Sequence, residues 1–469
     1  MGAPTAVALL FAVVLALVMS WVLAELSVPL ALGTGLTLAI LVGAIASNEL
    51  ALYLLTVSML LSPEFLVGGL GTGTILGRGL TLRLDDVLIS LVSLAWLAKS
   101  ALHKELGLVF GTTLNRPIAA YACAAVLATG LGMIAGRVQI LAGSLFVLKY
   151  IQYFVIYFMV VNILCERRQF ERLLLVLLLT AAVASVIGIL QIPSGERVSA
   201  PFEGDTPEPN TFGGYLVLML ALVAGLYLAS ESLRRKLLLL GLSVLIVFPL
   251  LFTLSRASYL AVIPLAGALW LYGDRKLFLT GLFAIAVVVA PLVAPKAVAD
   301  RILYTVTQPR EPGQVRVGGV RLDTSTSERL RSWSQTVFED WPNHPLFGYG
   351  VTGHRFLDAQ YPRALAETGL VGLAAFLWLQ VSLFRRVTVI LRQARDPLFR
   401  GAALGVLAGF VGLVAHSIGA NTFIIIRIME PFWLLVGMVM TIPQLEAAQA
   451  VPAAREEPRP VRRRQPIRW

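Results

Sequence analysis

Three cationic side chains stand in or beside long apolar stretches, where a charge is costly. Lys149 lies within SLFVLKYIQYF, Arg256 directly follows LLFTLS, and Arg427 lies within NTFIIIRIMEPFW with Glu430 one turn further on. An Arg or Lys at the centre of a membrane helix costs ~2.5–3.5 kcal/mol on insertion scales, and less near the boundary. Taken singly, each is explained by a long side chain reaching up to the headgroups, and Glu430 can neutralise Arg427. All three fall at one depth, however. Together they predict a cationic pocket, whose natural partner is an anionic group such as a diphosphate. The apolar setting makes that anion part of a lipid: the tail stays among helices and the head group faces the side on which the cations lie.

A second set of residues supplies acid/base chemistry. His344, His354, Asp358 and Glu367 fall in or just after the longest polar stretch of the chain. Histidine exchanges a proton near neutral pH, and a well-placed carboxylate can deprotonate a sugar hydroxyl. The plainer reading of a loop histidine is a surface residue; His344, between Asn343 and Pro345, would then brace a turn. The pair Asp85-Asp86 beside Arg83 (LRLDDVLI) has the chemistry to bind a cation, but is better explained as capping and orienting a helix. Cys123 and Cys165 lie in or beside apolar runs, without a CxxC or Cys/His cluster, which argues against a disulfide framework or zinc site. No cofactor is called for.

These residues must be held by membrane helices. The chain is 57% hydrophobic and only 14% charged, with mean hydropathy +0.80, whereas soluble domains carry about 25% charged residues. Apolar runs near 6–24, 29–47, 49–66, 84–101, 117–136, 144–164, 173–192, 211–230, 237–254, 257–272, 277–296, 363–384, 400–418 and 422–442 predict twelve to fourteen spans at ~20 residues each. In lipid such runs must be helices, because open strands would leave backbone groups unpaired. The expected fold is an all-α polytopic membrane protein with four regions: a first bundle over 1–296, a partly helical loop over 297–362, C-terminal spans over 363–443, and a basic, disordered tail over 444–469.

Charge gives the orientation. With the N-terminus in the cytoplasm, the loops on that side hold most of the Lys and Arg, including Arg167, Arg168, Arg172, Arg234, Arg235, Lys236, Arg385, Arg386 and the tail. Short loops on the other side hold only Arg78, Arg83, Arg137, Arg197 and Arg256. The bias predicts cytoplasmic N- and C-termini. It also accounts for the net charge of +11 without a nucleic-acid partner, since there is no compact basic domain. The long loop then faces the outer side. Within it TSTSERLRSWSQTVFEDW reads as one amphipathic helix, capped by Thr326 or Ser327, with Trp333, Val337 and Trp341 on its apolar face.

Four pieces in order, SRAS at 255–258, ERLRSW at 328–333, HPLFGYG at 344–350 and DAQYPRALAETGLVG at 358–372, resemble the O-antigen ligase/polymerase superfamily. APFEGDTPEPNTFGGYLVL at 200–218 is similar to that family's outer loop and Pro-Asn entry to a span. The resemblance implies a GT-C-like enzyme of the bacterial inner membrane, with its active site facing the periplasm, acting on undecaprenyl-diphosphate-linked oligosaccharide. It implies that Arg256 and Arg329 hold the donor's diphosphate or its sugar, with Lys149 and Arg427 as further candidates. The ligase branch carries a His-Asn, His-Ser or His-Gln pair nine residues before Gly-x-x-Gly. Here Gly369 and Gly372 match the glycines, but the pair is Asp358-Ala359. The departure favours the exopolysaccharide or O-antigen polymerase branch, with Asp358 as base and His344 or His354 as alternatives. Chain-length regulators and flippases are the implied protein partners. Ligation to lipid A-core is the nearest alternative. A lipid-linked glycan transporter would not need the long outer loop and should show paired repeats, and a scaffold would leave the buried cations unexplained.

Overall fold

The computed structural model describes residues 43, 47–66, 81–102, 112–203 and 207–450. The chain is an all-α polytopic membrane protein: eight helices among the described residues are long and apolar enough to cross a bilayer. They are α3 (Asn115–Ile134), α4 (Ile140–Ile163), α5 (Arg167–Gln191), α6 (Pro209–Ala229), α7 (Leu233–Phe252), α12 (Gln360–Gln393), α13 (Pro397–His416) and α14 (Ile426–Ala450). Four further apolar helices fall where spans are expected: α1 (Asn48–Leu61), α2 (Leu84–Leu102), α8 (Arg256–Tyr272) and α9 (Lys276–Val293). The expected spans at 6–24 and 29–47 lie outside the described residues, apart from Gly43 and Ser47.

Burial separates the centre of the bundle from its rim. The most apolar windows of α14, α6 and α13 are 89%, 78% and 72% buried, and that of α7 is only 17% buried. The core is therefore built on α6, α13 and α14, while α7 presents Leu233, Leu237, Leu238 and Phe248 outward. Association of helices in lipid depends on close van der Waals contact, which small residues permit. Gly401, Gly405 and Gly409 form such a stripe on α13. A Cβ at Gly405 would lie 2.6 Å from the Leu222 Cα, and one at Gly225 of α6 would lie 2.4 Å from the Gly405 nitrogen.

Several boundaries differ from those read in the sequence. The run at 49–66 stops being helical at Leu61; Glu64–Leu66 (β1) instead pairs antiparallel with Thr81–Arg83 (β2). The last span begins at Ile426, after a 3₁₀ turn over Thr422–Ile424, and continues to Ala450, into the region expected as tail. The long segment holds α10 (Lys296–Thr307), a two-residue-strand hairpin of β3 (Arg316–Val317) and β4 (Val320–Arg321), and α11 (Thr324–Gln335). The helix expected to run to Trp341 ends at Gln335, passing into a π turn over Thr336–Asp340 and a 3₁₀ turn over Trp341–Asn343. Its cap is Asp323, whose carboxylate accepts from the Thr326 amide, not Thr326 or Ser327. Ser327 is drawn elsewhere: its Oγ accepts from the Val315 amide at 2.9 Å.

One device fixes the long segment to the bundle. Within α12, Gly369 adopts φ 64°, ψ −164°, a region open only to glycine, and the helix breaks there. The loop carrying His344–Gly350 runs against the break. The amides of Leu370 and Val371 donate to the carbonyls of Pro345 and Leu346 at 2.9 and 3.1 Å, and those of Tyr349 and Gly350 donate to the carbonyls of Ala366 and Glu367, both at 2.9 Å. Backbone groups released by the break are thus paired with the loop, as burial requires.

Candidate active site

The SRAS segment builds the centre of the site. Leu254, at φ 49°, turns the chain sharply before α8. Ser255 caps α8 by accepting from the Ser258 amide, and its hydroxyl donates to Asn210 Oδ1 at 2.7 Å, at the first turn of α6. The Ser258 hydroxyl is 2.8 Å from Ser255 Oγ and 3.1 Å from His416 Nε2; His416 Nδ1 lies 2.7 Å from Thr422 Oγ1. The two serines are buried and lock the start of α8 between α6 and α13. Arg256, between them in sequence, is thereby aimed at the long segment: Nη1 donates to Thr305 Oγ1 of α10 at 2.7 Å and Nη2 to Asp323 Oδ2 at 2.6 Å.

Other cations gather around Arg256. Arg197 donates to the carbonyls of Thr253 and Leu254 at 3.0 and 3.3 Å, and Arg301 Nε donates to the Leu254 carbonyl at 3.4 Å. Burial, with Arg301 and Arg256 next to it, pushes the Arg197 pKa down. Burial, then Arg256 and more weakly Arg329, does the same to Arg301. Arg301 thus stands within electrostatic reach of Arg197, Arg256 and Arg329. Burial opposes ionisation of Asp323, but hydrogen bonds from Arg256 and Thr326 outweigh it and hold its carboxyl below the usual range. Arg329 projects from α11, and its Nη2 donates to Asp358 Oδ2 at 2.8 Å. Asp358 is placed by its neighbours: Leu357 and Ala359 are buried, and Asn421 Nδ2 donates to the Leu357 carbonyl at 2.7 Å. The structure thus brings Arg256, Arg329 and Asp358 into one region, and adds Arg197, Arg301, Thr305 and Asp323.

The two loop histidines form a neighbouring group around Tyr349, whose ring is 4.5 Å from the His344 ring and 5.0 Å from the His354 ring. His354 Nε2 is 3.1 Å from Asp340 Oδ2, and His344 Nε2 is 3.1 Å from Arg137 Nη1. Burial and the Arg137 guanidinium hold His344 below the usual histidine range, so its ring accepts from Arg137. A histidine depressed in the folded state binds fewer protons there than in the unfolded chain, whose value is ~6.5. Its contribution to stability is therefore complete above that value and is lost as pH falls through and below it. The melting temperature in detergent should fall between about pH 7 and pH 5, and His344→Asn should flatten that slope. An unchanged slope in the variant would remove His344 as its source.

Lys149 and Arg427 are engaged elsewhere. Lys149 Nζ lies 3.4 Å from Asp86. Asp86 also accepts from Gln152, which donates to Glu430 Oε1 at 2.7 Å, and Arg83 pairs with Asp85 at the start of α2. Asp85 and Asp86 thus bind side chains that join β2, α2, α4 and α14, in line with the orienting role read from sequence. Arg427, 1% exposed, donates to the carbonyls of Leu60 and Pro201 at 2.6 and 2.8 Å and to those of Ser62 and Phe202 at 3.2 and 3.3 Å. It ties the end of α1 to the loop after α5. Glu367 accepts from Arg363 at 2.9 Å and from Tyr150 at 3.1 Å inside the bundle. Arg427→Met should lower stability by on the order of 3 kcal/mol, because buried carbonyls lose charged donors, and Arg427→Lys should not restore it, since one ammonium lacks the planar fork. Thermal melting in detergent reads both. Normal melting of Arg427→Met would refute the tie.

Arg301, Thr305 and Asp323 carried no motif. The signal available was spacing in KAVADRILYTVT: Val298, Arg301 and Thr305 share one helical face, while Ile302, Leu303 and Val306, off that face, are exposed. Arg197 had none beyond its place in an outer loop.

No curated protein matches the chain significantly. Residues 241–377 match the family model described as O-antigen ligase. That stretch begins within α7 and ends within α12, so it contains Arg256, the whole long segment with Arg301, Asp323 and Arg329, Asp358 and the break at Gly369. The match supports the likeness of this stretch to the O-antigen ligase/polymerase superfamily, whose members are enzymes of the glycosyltransferase kind that handle lipid-linked glycans at a membrane.

Proposed function

We propose that this protein polymerises undecaprenyl-diphosphate-linked oligosaccharide repeat units at the periplasmic face of the bacterial inner membrane. The observation that carries the reading is the gathering of Arg197, Arg256, Arg301 and Arg329 where α8 meets the long segment. The donor's diphosphate sits on Arg256 and Arg329, with Arg197 and Arg301 adding field, while its isoprenoid tail stays among the helices. Asp358 takes the proton from a sugar hydroxyl of a second glycan, with His344 and His354 as alternative bases. The alkoxide oxygen attacks the anomeric carbon, the carbon–oxygen bond to the diphosphate breaks, and the polyprenyl diphosphate departs with the electron pair. Attack opposite the leaving group inverts the anomeric centre. Fixed guanidiniums stabilise the leaving diphosphate, which makes the proposed reaction independent of a metal.

An aspartate at the position of the ligase histidine favours a polymerase over a ligase. The test is purified protein incubated with a lipid-diphosphate oligosaccharide, with no nucleotide and no added metal. Lengthened lipid-linked glycan is the expected product. Transfer only to lipid A-core would move the assignment to a ligase; substrate-dependent flux in vesicles with no glycosidic bond formed would end the transferase reading.

A further inference from the structure

The two arginine–aspartate pairs of the site are built differently. Asp323 is almost wholly enclosed, its side chain 2% exposed, and it serves both Arg256 and the amide that starts α11. Releasing it would strand a buried carboxylate and uncap a helix, so this pair is fixed. The Arg329–Asp358 pair is 29% and 34% exposed, and among the described residues the side chain of each is hydrogen-bonded to the other alone. Pairs of that exposure contribute little net stability and exchange readily. Among the described residues the buried Nε of Arg329 makes no hydrogen bond, so the guanidinium has a donor to offer a larger anion.

We propose that the donor's diphosphate and Asp358 compete for Arg329, and that donor binding is what turns Asp358 into a base. With the donor absent, Arg329 holds the carboxylate, whose oxygen then faces a cation instead of a sugar hydroxyl. A diphosphate brings at least two negative charges and a fork of oxygens that a guanidinium matches with paired hydrogen bonds. It draws Arg329 away while Arg256, held by Asp323, stays in place. Asp358 loses its partner, and its carboxylate oxygen is freed to accept a hydrogen bond from a sugar hydroxyl. The acceptor hydroxyl can then lose its proton to Asp358 only where a donor is already seated. Binding is therefore ordered, donor first, and the Arg329–Asp358 contact guards the site against deprotonating water or a lone glycan.

This inference rests on the transferase reading for its chemistry but is tested by binding alone. The probe is a polyprenyl diphosphate, titrated calorimetrically into protein in detergent micelles. Asp358→Asn, nearly isosteric, removes the competitor and should tighten binding by about two- to fivefold, in line with release of a part-exposed ion pair. In an Arg329→Ala background the same substitution should leave affinity unchanged, because there is no arginine left to release. Equal tightening in both backgrounds would mean only a general loss of negative charge and would overturn the proposal. So would unchanged affinity in Asp358→Asn, or a wild type that does not bind the probe. Melting curves of the three variants identify any that misfold, and Arg329→Gln then replaces Arg329→Ala. Failure of glycan lengthening alongside the predicted affinity cycle would sink the transferase reading and leave the competition standing.

Discussion

Arg256→Ala is expected to lower the rate of glycan lengthening by about 100- to 1,000-fold, the loss typical when one fixed donor to a developing negative charge is removed. Three features make Arg256 the residue with the largest such effect. Its backbone is immobilised by Ser255 and Ser258, which join α6, α8 and α13. Its side chain is oriented by Asp323 and Thr305. It stands among Arg197, Arg301 and Arg329, so a dianion is attracted to the place where it points. Arg256→Lys keeps the charge but cannot serve Asp323 and Thr305 with a planar fork, and should cost about tenfold or more.

A trivial loss of folding must be separated from a loss of catalysis, because Arg256→Ala leaves the Asp323 carboxylate buried without its guanidinium. Arg256→Ala/Asp323→Asn removes that carboxylate and should melt closer to the wild type while remaining inactive. Initial rates with a lipid-diphosphate oligosaccharide, read beside melting curves, decide the matter. Full activity in Arg256→Ala would take the diphosphate role away from this residue.

Membrane class and much of the bundle were legible because lipid imposes one rule along the whole chain: long apolar runs must be helices. The placement of candidate site residues was legible where it is set locally. Arg256 is fixed by serines on either side of it, and Arg329 and Asp358 lie in recognisable segments. It was not legible where the partner is distant backbone. The energetic cost of Arg427 in an apolar run says that it has a partner, and not that the partners are four carbonyls at the end of α1 and after α5. Lys149 illustrates the same ambiguity: a cation at the right depth is drawn to Asp86 on α2. Arg197 and Arg301 were hidden for the opposite reason. Each sits in polar sequence, where arginine is unremarked, and only the folding of α10 and the α5–α6 loop against the start of α8 places them beside Arg256.

Gly369→Val is expected to be the most damaging single substitution for folding, at about 4–6 kcal/mol, from strain of a positive φ together with overpacking. Apolar periodicity runs straight through ALAETGLVGLAAFLWL, so the sequence pattern predicts an unbroken helix, and the break appears only in the Gly369 backbone. At φ 64° any side chain is strained. A Cβ there would also stand 2.3 Å from the Leu346 carbonyl oxygen, which is backbone and cannot swing aside. Relief would require the 344–350 loop to leave α12, breaking the bonds to Leu370 and Val371 that hold it. That loop carries His344, and its far end leads directly to Asp358, so the substitution should uncouple the long segment from the bundle before it unfolds the spans. Limited proteolysis distinguishes this from general misfolding: new cleavage between 300 and 360, with the helices on either side still protected, is expected. Gly130→Ala is the control, since Gly130 has no positive φ and nothing lies within 4 Å of where its Cβ would stand; it should be milder. Equal behaviour of the two variants, or a Gly369→Val protein with wild-type melting and cleavage, would show that the loop is not held by the break.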